Sequence, residues 1–418
     1  MGNVTRESKN QIKQKETIDN VKKYPSKKLY YKSKINNIEE KCTQININHL
    51  VGIPFMERKF KKLDIEHNCL ELSKIKKWAQ MINYYHKTEI TDRKKYNLSR
   101  KHFNIIMLDD LIFEVDAELG LHNYIKEEPK NFAKQIESGI PCQLRWIAWK
   151  ACTKFPSKYV EGEYEKLKSK EIKSESDTTI KNDTCRTFGN YKLFKIFPKE
   201  AQQALYNILK AYLNYTEYTS YYQGMNFIAA FLLIVSDFRE EEAFWVFVSL
   251  MENENQFDSW KIKGFRKIYS NNFFYLNVMA KVFRNVIYKN NATIIEKFDN
   301  LEVTEHLYFS KWIMSIFLCN LPFAFCCKIW DYFLVEGYLF LIKFSLNLIN
   351  ENKEKLLNSN FSKINEIFNN LRYSINYNLL QKNLLNCSDI LINEAVFEYF
   401  KHSLSQKSKR NKIVNKLY

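Results

Sequence analysis

Glycine and proline are scarce in this 418-residue chain, with nine Gly and seven Pro, each about 2% of the residues. So few turn formers exclude collagen-like and Gly/Ser-linker classes and favour long helices over a turn-rich β architecture. A disordered chain is excluded from the other side, because 45% of the residues are hydrophobic and 15% aromatic. Long apolar runs are also missing. The two longest, 225–235 and 312–327, fall short of the ~18 residues that span a bilayer, and Asn320 and Pro322 interrupt the second. Both read as buried core helices. The nine cysteines are odd in number, irregularly spaced and contain no C-x-x-C pair, which suggests neither a disulfide framework nor a zinc site and fits a reducing cytosol. The first ten residues, MGNVTRESKN, are too polar for a secretory signal peptide. With glycines only at 2, 52, 120, 139, 162, 189, 224, 264 and 337, neither G-x-x-x-x-G-K-[ST] nor G-x-G-x-x-G can exist. The chain has no recognisable nucleotide cradle of its own.

The net charge of +17 suggests a polyanion partner until it is divided along the chain. Residues 1–100 hold 23 Lys/Arg against 11 Asp/Glu, and residues 401–418 hold six Lys/Arg and no acid. The 300 residues between them carry a net −1. A neutral body without interleaved base-stacking motifs argues against nucleic acid. The basic ends suit an anionic membrane surface better, where each Lys or Arg contributes ~1 kcal/mol. Gly2 adds a partial N-myristoylation match, with Arg6 where the pattern asks for Ser or Thr. One acyl chain anchors only marginally and would need the basic arm as a second signal.

Residues 1–69 read as a basic extension, residues 70–400 as one large all-α domain whose motifs lie in 130–400, and residues 401–418 as a basic tail. Ile75, Trp78, Met81, Ile82 and Tyr85 recur at spacings of three and four, the mark of an amphipathic helix. The charged stretch from 153 to 179 reads as a short helix followed by a loop. Beyond it, apolar periodicity predicts helices over 201–215, 225–236, 241–251, 273–286, 305–317, 324–334 and 338–350, with weaker ones to about 399. No fixed-period repeat is present.

Four segments place polar or special residues inside apolar helical sequence. In GIPCQLRWIAW (139–149), Pro141 can occupy the first turn of a helix, putting Arg145 and Trp149 four apart on one face. In IKNDTCRT (180–187), Asp183 can accept backbone hydrogen bonds at a helix start and leave Arg186 to project. In SYYQGMN (220–226), Gly224 permits close approach beside Gln223 at the mouth of an apolar helix. In the last third, Trp312, Trp330, Asp331 and the Glu336-Gly337 stop read as structural anchors and a helix end.

Taken in order, these segments resemble the fingerprints of the TBC domain, the catalytic module of Rab GTPase-activating proteins: GIP-x-x-LR-x-x-x-W, I-x-x-D-x-x-R-T, Y-x-Q-G-M-N, and W-D followed by E-G. Lys77-Trp78 and Met81 are similar to the family's first helix. The resemblance covers roughly residues 70–400. It implies an all-α fold and a protein that acts on a GTP-bound Rab. It also implies that Arg186 is an arginine finger stabilising transition-state charge, and that Gln223 is a second finger positioning the attacking water. Tyr221 would brace the glutamine segment, and Asp183 would hold the arginine loop. Arg145 and Trp149 would support both fingers, with Thr187, Gly224 and Asn226 completing the shell, and Gly139 and Pro141 belonging to the structural motif. GTP and Mg²⁺ would be carried by the partner, so the chain needs no cofactor or metal. Ser220 and Gly189 depart from the family pattern at positions that supply no catalytic group. The resemblance further implies a role in vesicle trafficking, in the cytoplasm or peripherally on endomembranes. The alternative is a non-catalytic TBC-like scaffold. Glu302, Glu305 and His306 lack the first histidine of an inverted zinc motif and read as helix surface. Cys185, with no base near it in sequence, does not read as a nucleophile.

Overall fold

The computed structural model describes residues 111–141, 144–155, 158–172, 176–189, 198–216, 220–252, 264–269 and 271–376, together with Lys77, Trp78, Met81 and Leu380. The basic ends, 1–69 and 401–418, lie outside the described residues. Every regular element among the described residues is helical, as the scarcity of glycine and proline predicts. The helices form two compact units dividing after Leu250, a division that the nearly continuous helical pattern of the sequence does not reveal.

The first unit contains α1 (Leu111–Glu127), α2 (Pro129–Glu137), α3 (Arg145–Cys152), α4 (Glu163–Ser169), α5 (Ser176–Arg186), α6 (Pro198–Thr216), α7 (Met225–Val235) and most of α8 (Glu240–Glu252). Helix α6 runs against α4, α5 and α7, while α3 packs on α1. Of the amphipathic helix read over 75–85, Lys77, Trp78 and Met81 are described. All three are helical, with Lys77 exposed and Trp78 fully buried edge-on to Phe132 of α2. Helix α3 carries a feature that its apolar sequence conceals. Lys150 is 0% exposed and lies 3.2 Å from Glu118 of α1 and 3.4 Å from Glu242 of α8, whose carboxylate also accepts from Trp146 Nε1 at 2.7 Å. A buried cation between two buried carboxylates thus pins three helices to one register.

The second unit contains α9 (Phe274–Asn290), α10 (Ala292–Asn300), α11 (Glu305–Met314), α12 (Phe323–Glu336), α13 (Tyr338–Glu351), α14 (Lys353–Leu357), α15 (Phe361–Asn369) and α16 (Leu371–Ser374). Helix α9 lies against α10, α11 and α13. Trp312 is 0% exposed among Tyr308, Phe317 and Phe368, and Trp330 is equally buried. Asp331 is buried beside it in sequence, and Gly337 ends α12 with φ +66°. Gly264 is a second position where no other residue fits: a Cβ there would stand 2.0 Å from the carbonyl oxygen of Met251.

Among the described residues, three helices end in a Schellman turn whose left-handed position is not glycine. At the end of α11, Phe317 N–H donates to Trp312 C=O and Ile316 N–H to Ile313 C=O, the paired bonds of a Schellman motif. Ile316 takes the left-handed position at φ +47°. This turn stops α11 at Met314, three residues before the limit that periodicity predicts. The same bond pattern recurs after α10, with Glu302 at φ +56°, and after α7, with Asp237 at φ +55°. For Ile316 and Glu302 the left-handed region costs about 1–2 kcal/mol, whereas aspartate at 237 enters it more readily.

Candidate functional site

The candidate site lies in the first unit, where the end of α5 meets the start of α7. Helix α5 begins at Ser176, inside the stretch read as loop, so Asp183 falls in its last turn and not at a helix start. The misplacement has a physical cause. Among residues 176–186 the only buried apolar side chain is Ile180, leaving almost no periodic signal to mark where the helix begins. The first turn of α5 is tied to α6 through Asp177, which accepts from Tyr206 at 2.5 Å and from Lys181 at 2.6 Å. The Lys181 bond, with that of Tyr206, lowers the Asp177 pKa, while burial first and the bond to Asp177 second push Tyr206 up to about 12.

At its last turn α5 presents Arg186. The side chain is 65% exposed, and its Nε and one Nη donate to the same Asp183 oxygen at 2.9 and 2.5 Å. The other Asp183 oxygen accepts from the Tyr221 hydroxyl at 2.5 Å. Asp183 is therefore a buried carboxylate shared between the arginine segment and the segment that carries Gln223. Arginine has five N–H donors, so three remain uncommitted to Asp183. Because 65% of the Arg186 side chain is exposed against 2% of that of Asp183, the arginine has donors to offer a second anion.

Gln223 is exposed immediately before Gly224, which caps α7 with φ +116°. That backbone conformation is open to glycine and closed to most L-residues. Asn226, the second residue of α7, accepts from Gly224 N–H at 3.0 Å and donates to Thr187 Oγ1 at 2.7 Å. Thr187 in turn donates to the Asp183 carbonyl at 2.6 Å. Phe188 meets Phe227 edge-on at 5.4 Å. The two segments, far apart in sequence, thus share polar and aromatic contacts directly behind both exposed side chains.

Of the remaining expected residues, Trp149 is fully buried and packs on Phe231 of α7 at 5.6 Å, under the helix that carries Gln223 at its mouth. The described bond of Arg145 runs to the Ile140 carbonyl at 3.2 Å, tying α3 to the turn formed by Gly139 and Pro141. Pro141 does not stand in the first turn of α3, which starts at Arg145; its carbonyl accepts from Leu144 just ahead of the helix. Cys185 is exposed. Glu305 opens α11 and pairs with Arg284 at 2.9 Å, and no metal-holding cluster of His, Cys, Asp and Glu occurs among the described residues. The links through Thr187 with Asn226 and Phe188 with Phe227, and the buried Lys150, escape sequence reasoning. Lys150 leaves a faint trace as the one cation in the run WIAWKAC.

The family model described as the Rab-GTPase-TBC domain matches residues 142–357, just over half of the chain and spanning α3, α5 and α7. The chain belongs to the RabGAP-TBC family. It is 30% identical over 247 residues to the GTPase-activating protein GYP5 of Saccharomyces cerevisiae, covering 58% of this chain and 26% of that protein. To the ecotropic viral integration site 5 protein homolog of Homo sapiens it is 27% identical over 232 residues, covering 56% of this chain and 27% of that protein. The match spans about a quarter of the length of these curated relatives. The fold of the Chlamydomonas flagellar RabGAP TBC domain is similar, with a TM-score of 0.50 at 18% identity over 69% of this chain and 93% of that one. No helix among the described residues of this TBC protein is long and apolar enough to cross a membrane.

Proposed function

We propose that the chain accelerates GTP hydrolysis on a GTP-bound Rab-family GTPase, inserting Arg186 and Gln223 in trans. One observation carries this reading: the two side chains are exposed, and the backbone behind each is held by a single buried network through Asp183, Tyr221, Thr187 and Asn226. Hydrolysis passes through a loose transition state with charge on the phosphoryl oxygens, and a guanidinium delivered in trans is worth about 10³–10⁵ in rate. Arg186 has the uncommitted donors to serve that charge. Gln223 carries an amide that donates and accepts at once without titrating, as the alignment of an attacking water requires. GTP and Mg²⁺ stay with the Rab. The activity would serve vesicle trafficking in the cytoplasm, with the basic ends resting on an anionic endomembrane surface and no role for nucleic acid.

The test is phosphate release from a panel of GTP-loaded Rab GTPases. Wild type stimulates at least one member, and Arg186→Ala and Gln223→Ala each lose about 10³-fold of the stimulation. Binding without stimulation by wild type makes the chain a scaffold. Full activity in both variants defeats the dual-finger mechanism.

A further inference from the structure

We infer that Asn226 is a positioning residue that, with Thr187 as its partner, couples the backbone behind Arg186 to the backbone behind Gln223. Thr187 directly follows Arg186 in the chain, and Gly224 directly follows Gln223. Three hydrogen bonds join these points: Gly224 N–H to Asn226 Oδ1 at 3.0 Å, Asn226 Nδ2 to Thr187 Oγ1 at 2.7 Å, and the Thr187 hydroxyl to the Asp183 carbonyl at 2.6 Å. The middle bond closes a sequence separation of 39 residues.

The donor and acceptor roles admit one assignment. Gly224 N–H can only donate, so the amide oxygen of Asn226 must face it and the amide nitrogen must face Thr187. The Thr187 hydroxyl has one proton, committed to the Asp183 carbonyl, so it accepts from Asn226. Aspartate at 226 lacks the donor, and leucine lacks both groups. Asn226, Thr187 and Asp183 are each 1% exposed. Water cannot replace a lost partner in such a place, and the low dielectric strengthens the bonds that are made.

The coupling matters for geometry more than for adhesion. Both fingers remain exposed on the surface when it is broken, but the distance between them is no longer held. A misplacement of about 1 Å can lower a rate about a hundredfold. The signature is therefore a fall in kcat with KM for the Rab little changed. This kinetic expectation rests on the dual-finger reading; the coupling itself does not.

The full-length chain is compared with Thr187→Val, Thr187→Ser, Asn226→Ala and the Thr187→Val/Asn226→Ala double variant. Amide hydrogen exchange at Gly224 is measured alongside kcat and KM on whichever Rab of the panel is most stimulated. Thr187→Val removes the hydroxyl at nearly constant volume and speeds exchange at Gly224, 37 residues away in sequence, while Thr187→Ser preserves wild-type exchange. In the kinetic arm, Thr187→Val and Asn226→Ala each lower kcat about tenfold to a hundredfold with KM nearly unchanged. The double variant loses no more than the worse single one, as expected of residues acting as a unit. Unchanged Gly224 exchange in Thr187→Val reduces Asn226 to a local helix-end role and overturns the inference, as do losses that multiply in the double variant. If Asn226→Ala does not fold, the contrast between Thr187→Val and Thr187→Ser decides alone. Should no Rab respond, or should Arg186→Ala and Gln223→Ala stay active, the dual-finger mechanism falls while the exchange measurement still judges the coupling.

Discussion

Tyr221 and Arg186 occupy opposite oxygens of one buried carboxylate, that of Asp183, so the segment before Gln223 and the segment bearing the arginine are referenced to the same group. Tyr221→Phe keeps the ring and deletes the hydroxyl, leaving an Asp183 oxygen buried without that donor. Unfolding free energy is expected to fall by about 2 kcal/mol, the usual loss for a hydrogen bond to a charged group. Urea denaturation measures it, and a change under about 0.5 kcal/mol would mean that Asp183 is satisfied without Tyr221.

Lys150 stands between Glu118 and Glu242 with no access to water. Lys150→Met fits the volume but takes the buried cation from both carboxylates, leaving Glu242 to Trp146 Nε1 and Arg239, and should destabilise the protein by about 3–5 kcal/mol. Adding Glu118→Gln removes one of the two buried negative charges and should recover part of that loss. Thermal denaturation of the single and double variants distinguishes a charge effect, which recovers, from a packing effect, which does not.

Glu241 lies on the first turn of α8, and burial, reinforced by Glu165 and Glu242, pushes its pKa up to about 7. Its unfolded value is the ordinary 4.5. Between these values the folded state binds the proton that the unfolded state has released, so this group makes stability fall as pH rises from about 5 to about 7, and adds no slope above that. Urea midpoints should therefore drop between pH 5.5 and pH 7.5 in wild type, with a shallower drop in Glu241→Gln. Equal slopes in the two proteins would remove Glu241 as the source.

Glu302 and Ile316 hold the same left-handed position at two helix ends, one exposed and one fully buried. Glu302→Gly relieves about 1–2 kcal/mol of backbone cost, against about 0.5–1 kcal/mol of added unfolded-state entropy, and should stabilise slightly. Ile316→Gly gains the same relief but empties a core site, and should destabilise by about 2–4 kcal/mol. Opposite signs in a calorimetric comparison are the expected outcome.

The fold class is readable in the sequence because helices packed on both sides leave dense apolar periodicity. The pattern over 338–350 matches α13 within a residue, and that over 225–236 matches α7 equally well. Periodicity fails where a helix buries little, as in α5, and where a turn overrides it, as at Ile316. The site is readable as residue types in order, since Arg186, Gln223, Asp183 and Tyr221 each stand out locally. Their connections are not. Nothing near Thr187 in the chain announces Asn226, and nothing in an apolar run reveals which carboxylates will enclose Lys150. Such pairings depend on how α5 meets α7 and how α3 meets α1 and α8, which single-chain spacing does not encode.

The glycine-poor helix ends have a consequence for motion. A turn built on glycine can form in an isolated peptide, whereas those at Glu302 and Ile316 persist because Val303 and Phe317, the residues that follow, are buried. Their amides should therefore exchange with solvent only when the surrounding core opens, and not by local fraying. In the second unit, the places where a chain is ordinarily loosest are tied to the slowest-opening part of the structure.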